Sequence, residues 1–89
     1  MKRWHIYFSG RVQGVGFRYT SREVAKRYEV SGWVKNLPNG SVEMIVEGAS
    51  DQLRKYVADL SESTHGKVTD MQVTKSEPTG EFSAMEIRH

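Results

Sequence analysis

A glycine-rich segment between residues 10 and 18, GRVQGVGFR, combines residue types that proteins use to hold a phosphate. Gly10, Gly14 and Gly16 lack Cβ, so the backbone can turn through positive φ and direct consecutive N–H groups at one anion. Arg18 closes the segment, and its planar guanidinium matches phosphate oxygens better than a lysine ammonium does. The loop and the arginine together predict one anion-binding site.

The position of Arg18 supports this interpretation. A helical pattern begins at Phe17, which places a cation in the first turn of a helix, where it opposes the positive end of the helix dipole. A bound dianion would remove the conflict, since both the helix N-terminus and the guanidinium attract it. The other interpretation, a plain glycine-rich turn with a solvated arginine, stays open, because short glycine motifs also occur by chance.

Composition limits the classes of protein to consider. The chain has 89 residues, enough for a single domain spanning residues 1–89, and a net charge of +2. Residues 1–30 hold seven Lys/Arg and two Glu, so the positive charge lies near the glycine loop. The sequence has no cysteine, which excludes disulfides and cysteine catalysis and suits a cytoplasmic location. No apolar run approaches the length that spans a bilayer, so no membrane association is predicted.

Hydrophobic periodicity predicts five strands and two helices. The predicted strands are Arg3–Arg11, Gly32–Leu37, Ser41–Gly48, Val68–Lys75 and a short final strand with Met85 and Ile87 on one face. The first helix is predicted from Phe17 to about Glu29 with Gly32 as the stop signal, and the second is predicted after a Ser50 cap. The order βαββαβ plus a terminal strand predicts an α+β, ferredoxin-like sandwich with an antiparallel-based sheet and two helices on one face.

The same patterns predict which side chains are buried. The expected core includes Trp4, Ile6 and Phe8 of the first strand, Val42, Met44 and Val46 of the third, and Leu53, Tyr56, Val57 and Leu60 of the second helix. On the first helix, Arg22, Lys26 and Arg27 are predicted to lie on the solvated side. Arg11 is expected to end its strand in solvent, although it could instead steer an anion toward the loop.

Two separated motifs resemble the signatures of the acylphosphatase family. The first is GRVQGVGFR at residues 10–18, and the second is GWVKN at residues 32–36 together with Gly40, Val42 and Gly48. The resemblance covers the whole chain in length and element order. It implies a small enzyme that needs no metal or cofactor and hydrolyses acyl phosphates to a carboxylate and orthophosphate.

The resemblance also implies roles for particular residues. Arg18 would bind the phosphoryl group, and Asn36 would position the attacking water. The phosphate cradle would be the backbone of Gln13, Gly14, Val15, Gly16, Phe17 and Arg18. Taken alone, Asn36 could be an ordinary turn asparagine near the hairpin. Tyr19 and Trp33 are candidates for the acyl side of the site, although both could serve packing only. We expect a monomer whose partners are acyl phosphate and phosphate.

Other functions fit the sequence less well. The glycine pattern lacks the final small residue of a dinucleotide-binding motif, no Gly-Lys-Ser/Thr sequence forms a P-loop, and His5, His65 and His89 are too scattered to suggest a metal site. An RNA-binding domain of the same topology would need basic and aromatic residues on strand 3, which carries Glu43 and Glu47 instead. Nucleic acid is therefore not an expected partner. A noncatalytic module that binds phosphate or a partner remains an alternative.

Overall fold

The computed structural model describes residues 1–89 as five strands and two helices. The elements are β1 (Lys2–Arg11), α1 (Phe17–Ala25), β2 (Val30–Asn36), β3 (Val42–Gly48), α2 (Ser50–Ser63), β4 (Lys67–Ser76) and β5 (Met85–Arg88). They form one sheet in the order β4-β1-β3-β2-β5. All strand pairs are antiparallel except β2 with β5, which is parallel. The predicted ferredoxin-like fold is confirmed.

The two helices cover the same face of the sheet. Their inward side chains and those of the central strands form one core cluster, which includes Ile6, Phe8, Phe17, Val24, Val34, Val42, Met44, Val46, Leu53, Tyr56 and Leu60. The buried hydroxyl of Tyr56 donates a hydrogen bond of 2.8 Å to the Ser21 carbonyl and so ties α2 to α1. The prediction for β1, β3 and α2 core positions is confirmed, because alternation in strands and 3.6-residue spacing in helices both select one face.

Helix α1 is shorter than the sequence predicts. It ends at Ala25 instead of about Glu29, and the chain then tightens through hydrogen bonds from the N–H groups of Arg27 and Tyr28 to carbonyls three residues earlier. Outside the helix, Tyr28 donates to Asp59 of α2 at 2.8 Å, and Arg27 pairs with the same carboxylate. Gly32 is not a helix stop, since it lies inside β2.

The start of helix α2 also differs from the prediction. Ser50 is its first helical residue, whereas Ala49 occupies the capping position and no side chain caps the helix. Asp51 lies in the first turn, where its negative charge interacts favourably with the positive end of the helix dipole. Neither helix combines the length and the apolar character that crossing a membrane requires.

A buried carboxylate of β3 anchors the segment that connects β4 to β5. Glu47 of β3 is only 3% exposed and accepts hydrogen bonds from the backbone N–H groups of Thr79 at 2.8 Å and Gly80 at 3.0 Å. The Arg3 guanidinium lies 3.7 Å away. Burial alone would raise the pKa of Glu47, but these hydrogen bonds and the charge of Arg3 outweigh it and hold the pKa below its ordinary value.

The Glu47 contacts predict a pH-dependent contribution to stability. We expect Glu47→Gln to lower the free energy of unfolding by about 2 kcal/mol at neutral pH, because hydrogen bonds to a buried carboxylate are lost or weakened. A carboxyl with a lowered folded pKa stabilises the fold above its unfolded pKa, near 4.5, and loses that effect as the pH falls through the folded value. The difference between wild type and variant should therefore shrink in acid, as measured by denaturant unfolding across pH.

Glu77→Gln is the matched control, because the Glu77 side chain is 87% exposed. It should change stability little at any pH. A gap between wild type and Glu47→Gln that stayed constant from neutral pH to pH about 3 would contradict the role assigned to the Glu47 charge.

Candidate active site

A pocket of about 490 Å³ opens where the β1–α1 loop, the end of β2 and the chain after β5 meet. Its lining includes four of the residues that the sequence singles out for the phosphate loop, together with the predicted water-positioning residue: Gly14, Gly16, Phe17, Arg18 and Asn36. The fold thus brings together two motifs that follow non-adjacent strands, since β1 and β2 are separated in the sheet by β3.

The loop is anchored by apolar side chains on either side of its glycines. Val12 and Phe17 are each 1% exposed, and Val15 packs against the core. Between these anchors, Gly14 and Gly16 adopt φ of 72° and 74°, in the left-handed region that side chains with Cβ rarely enter. Neither glycine would meet any atom within 4 Å through an added Cβ, so both are required by backbone conformation and not by crowding.

Gln13 connects the loop to the hairpin that carries Asn36. Its Nε2 donates one hydrogen bond to the Leu37 carbonyl at 2.7 Å and another to the Ser41 carbonyl at 2.8 Å. Leu37 directly follows Asn36, and the Leu37 N–H donates to the same Ser41 carbonyl at 2.9 Å. The two N–H bonds of one amide therefore tie the loop to both sides of the β2–β3 turn. Gln13 and Val15 do not line the pocket, because their side chains serve as anchors.

Arg18 stands at the second position of α1, in a first turn that contains no acidic residue. One nitrogen of its guanidinium, Nη1, donates to the Arg88 carbonyl at 2.9 Å and lies 3.1 Å from Nδ1 of His89. These contacts orient the guanidinium from the C-terminal side. A guanidinium has five N–H donors, so Nε and Nη2 stay available for an anion in the pocket.

The amide of Asn36 forms the opposite part of the pocket. Asn36 is the last residue of β2, and its Oδ1 is buried without a hydrogen-bond partner in the protein. It is the only buried side-chain polar atom in the chain with this property. A buried acceptor without a partner costs about 1–3 kcal/mol, so this amide gains from any donor that reaches it.

Arg22 adds a second arginine to the pocket, a role that the sequence analysis did not assign. It is solvated as predicted, with its side chain 43% exposed, and it also lines the pocket beside Tyr19. The signal was its spacing, because a residue four positions after Arg18 shares the same helix face. Trp33, a candidate for the acyl side, lies outside the pocket, where the Arg88 guanidinium covers its ring at 4.9 Å. The Arg88 carbonyl and His89 had no sequence signal at all.

Comparison with known proteins places this chain in a family. The acylphosphatase family model matches residues 4–87. The chain is 42% identical to an acylphosphatase of Syntrophus aciditrophicus over 88 residues, which is 98% of this chain and 92% of that protein. It is 44% identical to an acylphosphatase of Roseiflexus sp. over 88 residues, covering 98% of this chain and 95% of the relative.

A solved structure agrees with the sequence matches. The crystal structure of an acylphosphatase from Bacillus subtilis superposes with a TM-score of 0.92 at 37% identity, and the match covers 100% of both chains. Fold, family model and relatives of nearly equal length all lead to one conclusion. The chain belongs to the acylphosphatase family of hydrolases.

Proposed function

We propose that this chain hydrolyses acyl phosphates at the pocket that contains Arg18 and Asn36. The observation that carries the proposal is the meeting of an anion-binding loop, a guanidinium and an uncommitted buried amide in one cavity. The backbone from Gln13 to Arg18 and the guanidinium would hold the phosphoryl oxygens. Preorganised donors of this kind stabilise the charge that develops as a phosphoryl group is transferred.

Arg18 is proposed as the phosphate anchor. The Arg88 carbonyl occupies Nη1, which would leave the other edge of the guanidinium, with Nε and Nη2, for a ligand. Two parallel N–H donors match two oxygens of a phosphoryl group. The uncapped N-terminus of α1 adds a positive potential on the same side, because the N–H groups of the first turn have no partners within the helix.

Asn36 is proposed to orient the attacking water. An amide cannot act as a general base near neutral pH, but its carbonyl oxygen can accept a hydrogen bond from water while its NH₂ group donates. No hydrogen bond within the protein restrains the Oδ1 atom. Rotation of the amide about its Cβ–Cγ bond would bring that oxygen to the pocket, where it would hold a water in line with the phosphorus atom.

The reaction requires little acid–base catalysis from the protein. The water oxygen forms a bond to phosphorus, the bond from phosphorus to the acyl oxygen breaks, and that oxygen leaves with the electron pair as a carboxylate. Its conjugate acid has a pKa of about 4, close to that of a glutamate side chain, so no general acid is needed. The water proton passes to a phosphate oxygen or to solvent.

The same features support a proposal for the oligomeric state, the location and the partners of the protein. One chain supplies every residue of the proposed site, which supports action as a monomer. The absence of cysteine suits the reducing cytoplasm. On the open face of the sheet, Glu43 is engaged by His5 at 2.7 Å. A carboxylate there is unfavourable for a nucleic-acid backbone, so we expect acyl phosphate and phosphate, and no nucleic acid, as partners.

The first test is the release of orthophosphate from acetyl phosphate in excess chelator by wild type and Arg18→Lys. We expect wild-type activity above the uncatalysed rate. Arg18→Lys should lose about 100-fold or more in kcat/KM and should bind inorganic phosphate more weakly, because an ammonium cannot form the paired contacts. Arg11→Lys, at the exposed end of β1, is the control and should keep full activity. Wild-type release no faster than the uncatalysed rate would leave the noncatalytic module as the better account.

Asn36→Ala separates water positioning from phosphate binding. We expect kcat to fall by about 100-fold, while the inhibition constant of inorganic phosphate stays unchanged, because the loop and Arg18 are intact. Gln72→Ala removes an exposed amide of β4 outside the pocket and should retain the wild-type kcat. A weaker phosphate affinity with an unchanged kcat would refute the role of Asn36 in orienting water.

Gln13 is proposed as a positioning residue that acts through Asn36. Gln13→Met keeps the side-chain length but removes both donors to the hairpin, and we expect kcat to fall by about tenfold through misplacement of Asn36. A double-mutant cycle provides the decisive readout. If Gln13 acts through Asn36, then Gln13→Met should cost little further activity in the Asn36→Ala background. Fully additive losses would contradict this coupling.

A further inference from the structure

The pocket is lined by a second arginine in addition to the proposed phosphate anchor. Its ten lining residues include Arg18, Arg22 and His89 but no Asp or Glu. Arg18, the loop backbone and Asn36 account for the proposed chemistry at phosphorus. Arg22 follows Arg18 by four residues on the same helix, so both side chains border this cavity, and Arg22 also borders a smaller neighbouring one of about 310 Å³.

Neighbouring side chains orient the guanidinium of Arg22 but do not occupy all of its hydrogen-bond donors. It lies 5.4 Å from the ring centre of Tyr19, which also lines the pocket and is 59% exposed. Its one ion pair runs from Nε to the Glu23 carboxylate at 3.5 Å. That carboxylate accepts two shorter contacts from Lys26, at 3.0 and 3.1 Å. The terminal nitrogens of Arg22 are therefore free to bind an anion.

We propose that Arg22 and Tyr19 form a subsite for the acyl group, which favours acyl phosphates whose acyl part carries a second anion such as a carboxylate. This inference rests on the proposed function, because the loop and Arg18 must hold the phosphoryl end. The second anion then lies beside Arg22, and the apolar part of the acyl group lies against Tyr19 and Ile87 at the pocket wall.

The size of the preference follows from the exposure of Arg22. Its side chain is 43% exposed, so solvent screens its interaction with a ligand charge. We expect a contribution of about threefold to fivefold in kcat/KM, as for other partly exposed charge pairs. Added salt should reduce it further, since the screening length falls to about 3 Å at 1 M ionic strength.

Two substrates of nearly equal size isolate the second anion: 4-carboxybenzoyl phosphate and 4-methylbenzoyl phosphate. The measurement is the ratio of their kcat/KM values, which cancels any effect on the common phosphoryl group. Arg22→Gln should lower the ratio by about threefold to fivefold and leave turnover of the methyl substrate nearly unchanged. Arg22→Lys should retain most of the preference, because it keeps the charge. Arg54→Gln, an exposed arginine of α2 outside this pocket, should leave the ratio at its wild-type value.

The outcomes distinguish this inference from the function on which it rests. Equal ratios in wild type and Arg22→Gln, with both substrates hydrolysed, would overturn the subsite and leave the hydrolase intact. An equal loss on both substrates would assign Arg22 to general attraction of the phosphoryl group and would also overturn it. Failure of the wild type on both substrates would overturn the proposed function as well. The wild type alone supplies a further test, because its ratio should fall as ionic strength rises.

Discussion

The burial of Val12 and Phe17 on either side of a four-residue loop is the constraint on which the site depends. Both side chains are 1% exposed, and burial of such a side chain stabilises a fold by about 1.5–3 kcal/mol. The chain between them must change from strand to helix, and Gly14 and Gly16 permit the turn with φ of 72° and 74°. Burial of these two side chains therefore holds the loop at the pocket. Arg18 follows Phe17, so the same anchor places the guanidinium.

The sheet supplies the second half of the site. Strands β1 and β2 both pair antiparallel with β3, so they run in one direction and their C-terminal ends lie at the same edge of the sheet. The loop follows β1, and Asn36 ends β2. Because β3 lies between these strands, no strand pairing joins them directly. The amide of Gln13 links the loop to the hairpin through two of its carbonyls.

Much of the fold could be predicted because it depends on local rules. Alternating apolar residues identify the buried face of β1 and β3, and helical spacing identifies that of α2. The predicted bounds were less accurate at helix ends, where tertiary contacts compete with helical hydrogen bonds. Arg27 and Tyr28 leave α1 to reach Asp59, although the pattern continues toward Glu29. Ala49 occupies the N-cap position of α2 and provides no side-chain cap. The prediction that Ser50 caps the helix was therefore wrong by one residue.

The sequence by itself determined the types of chemistry that are available: a loop of glycines for an anion, an arginine after it, and an asparagine at the end of a strand. These signals lie within short segments, where backbone freedom and charge can be read from residue types. Only the tertiary structure decided how they are oriented and which groups join them. The Arg88 carbonyl on Arg18, the unpartnered Oδ1 of Asn36 and the entry of Arg22 into the pocket all join distant segments. Such contacts depend on how the sheet and helices pack, which no local pattern encodes.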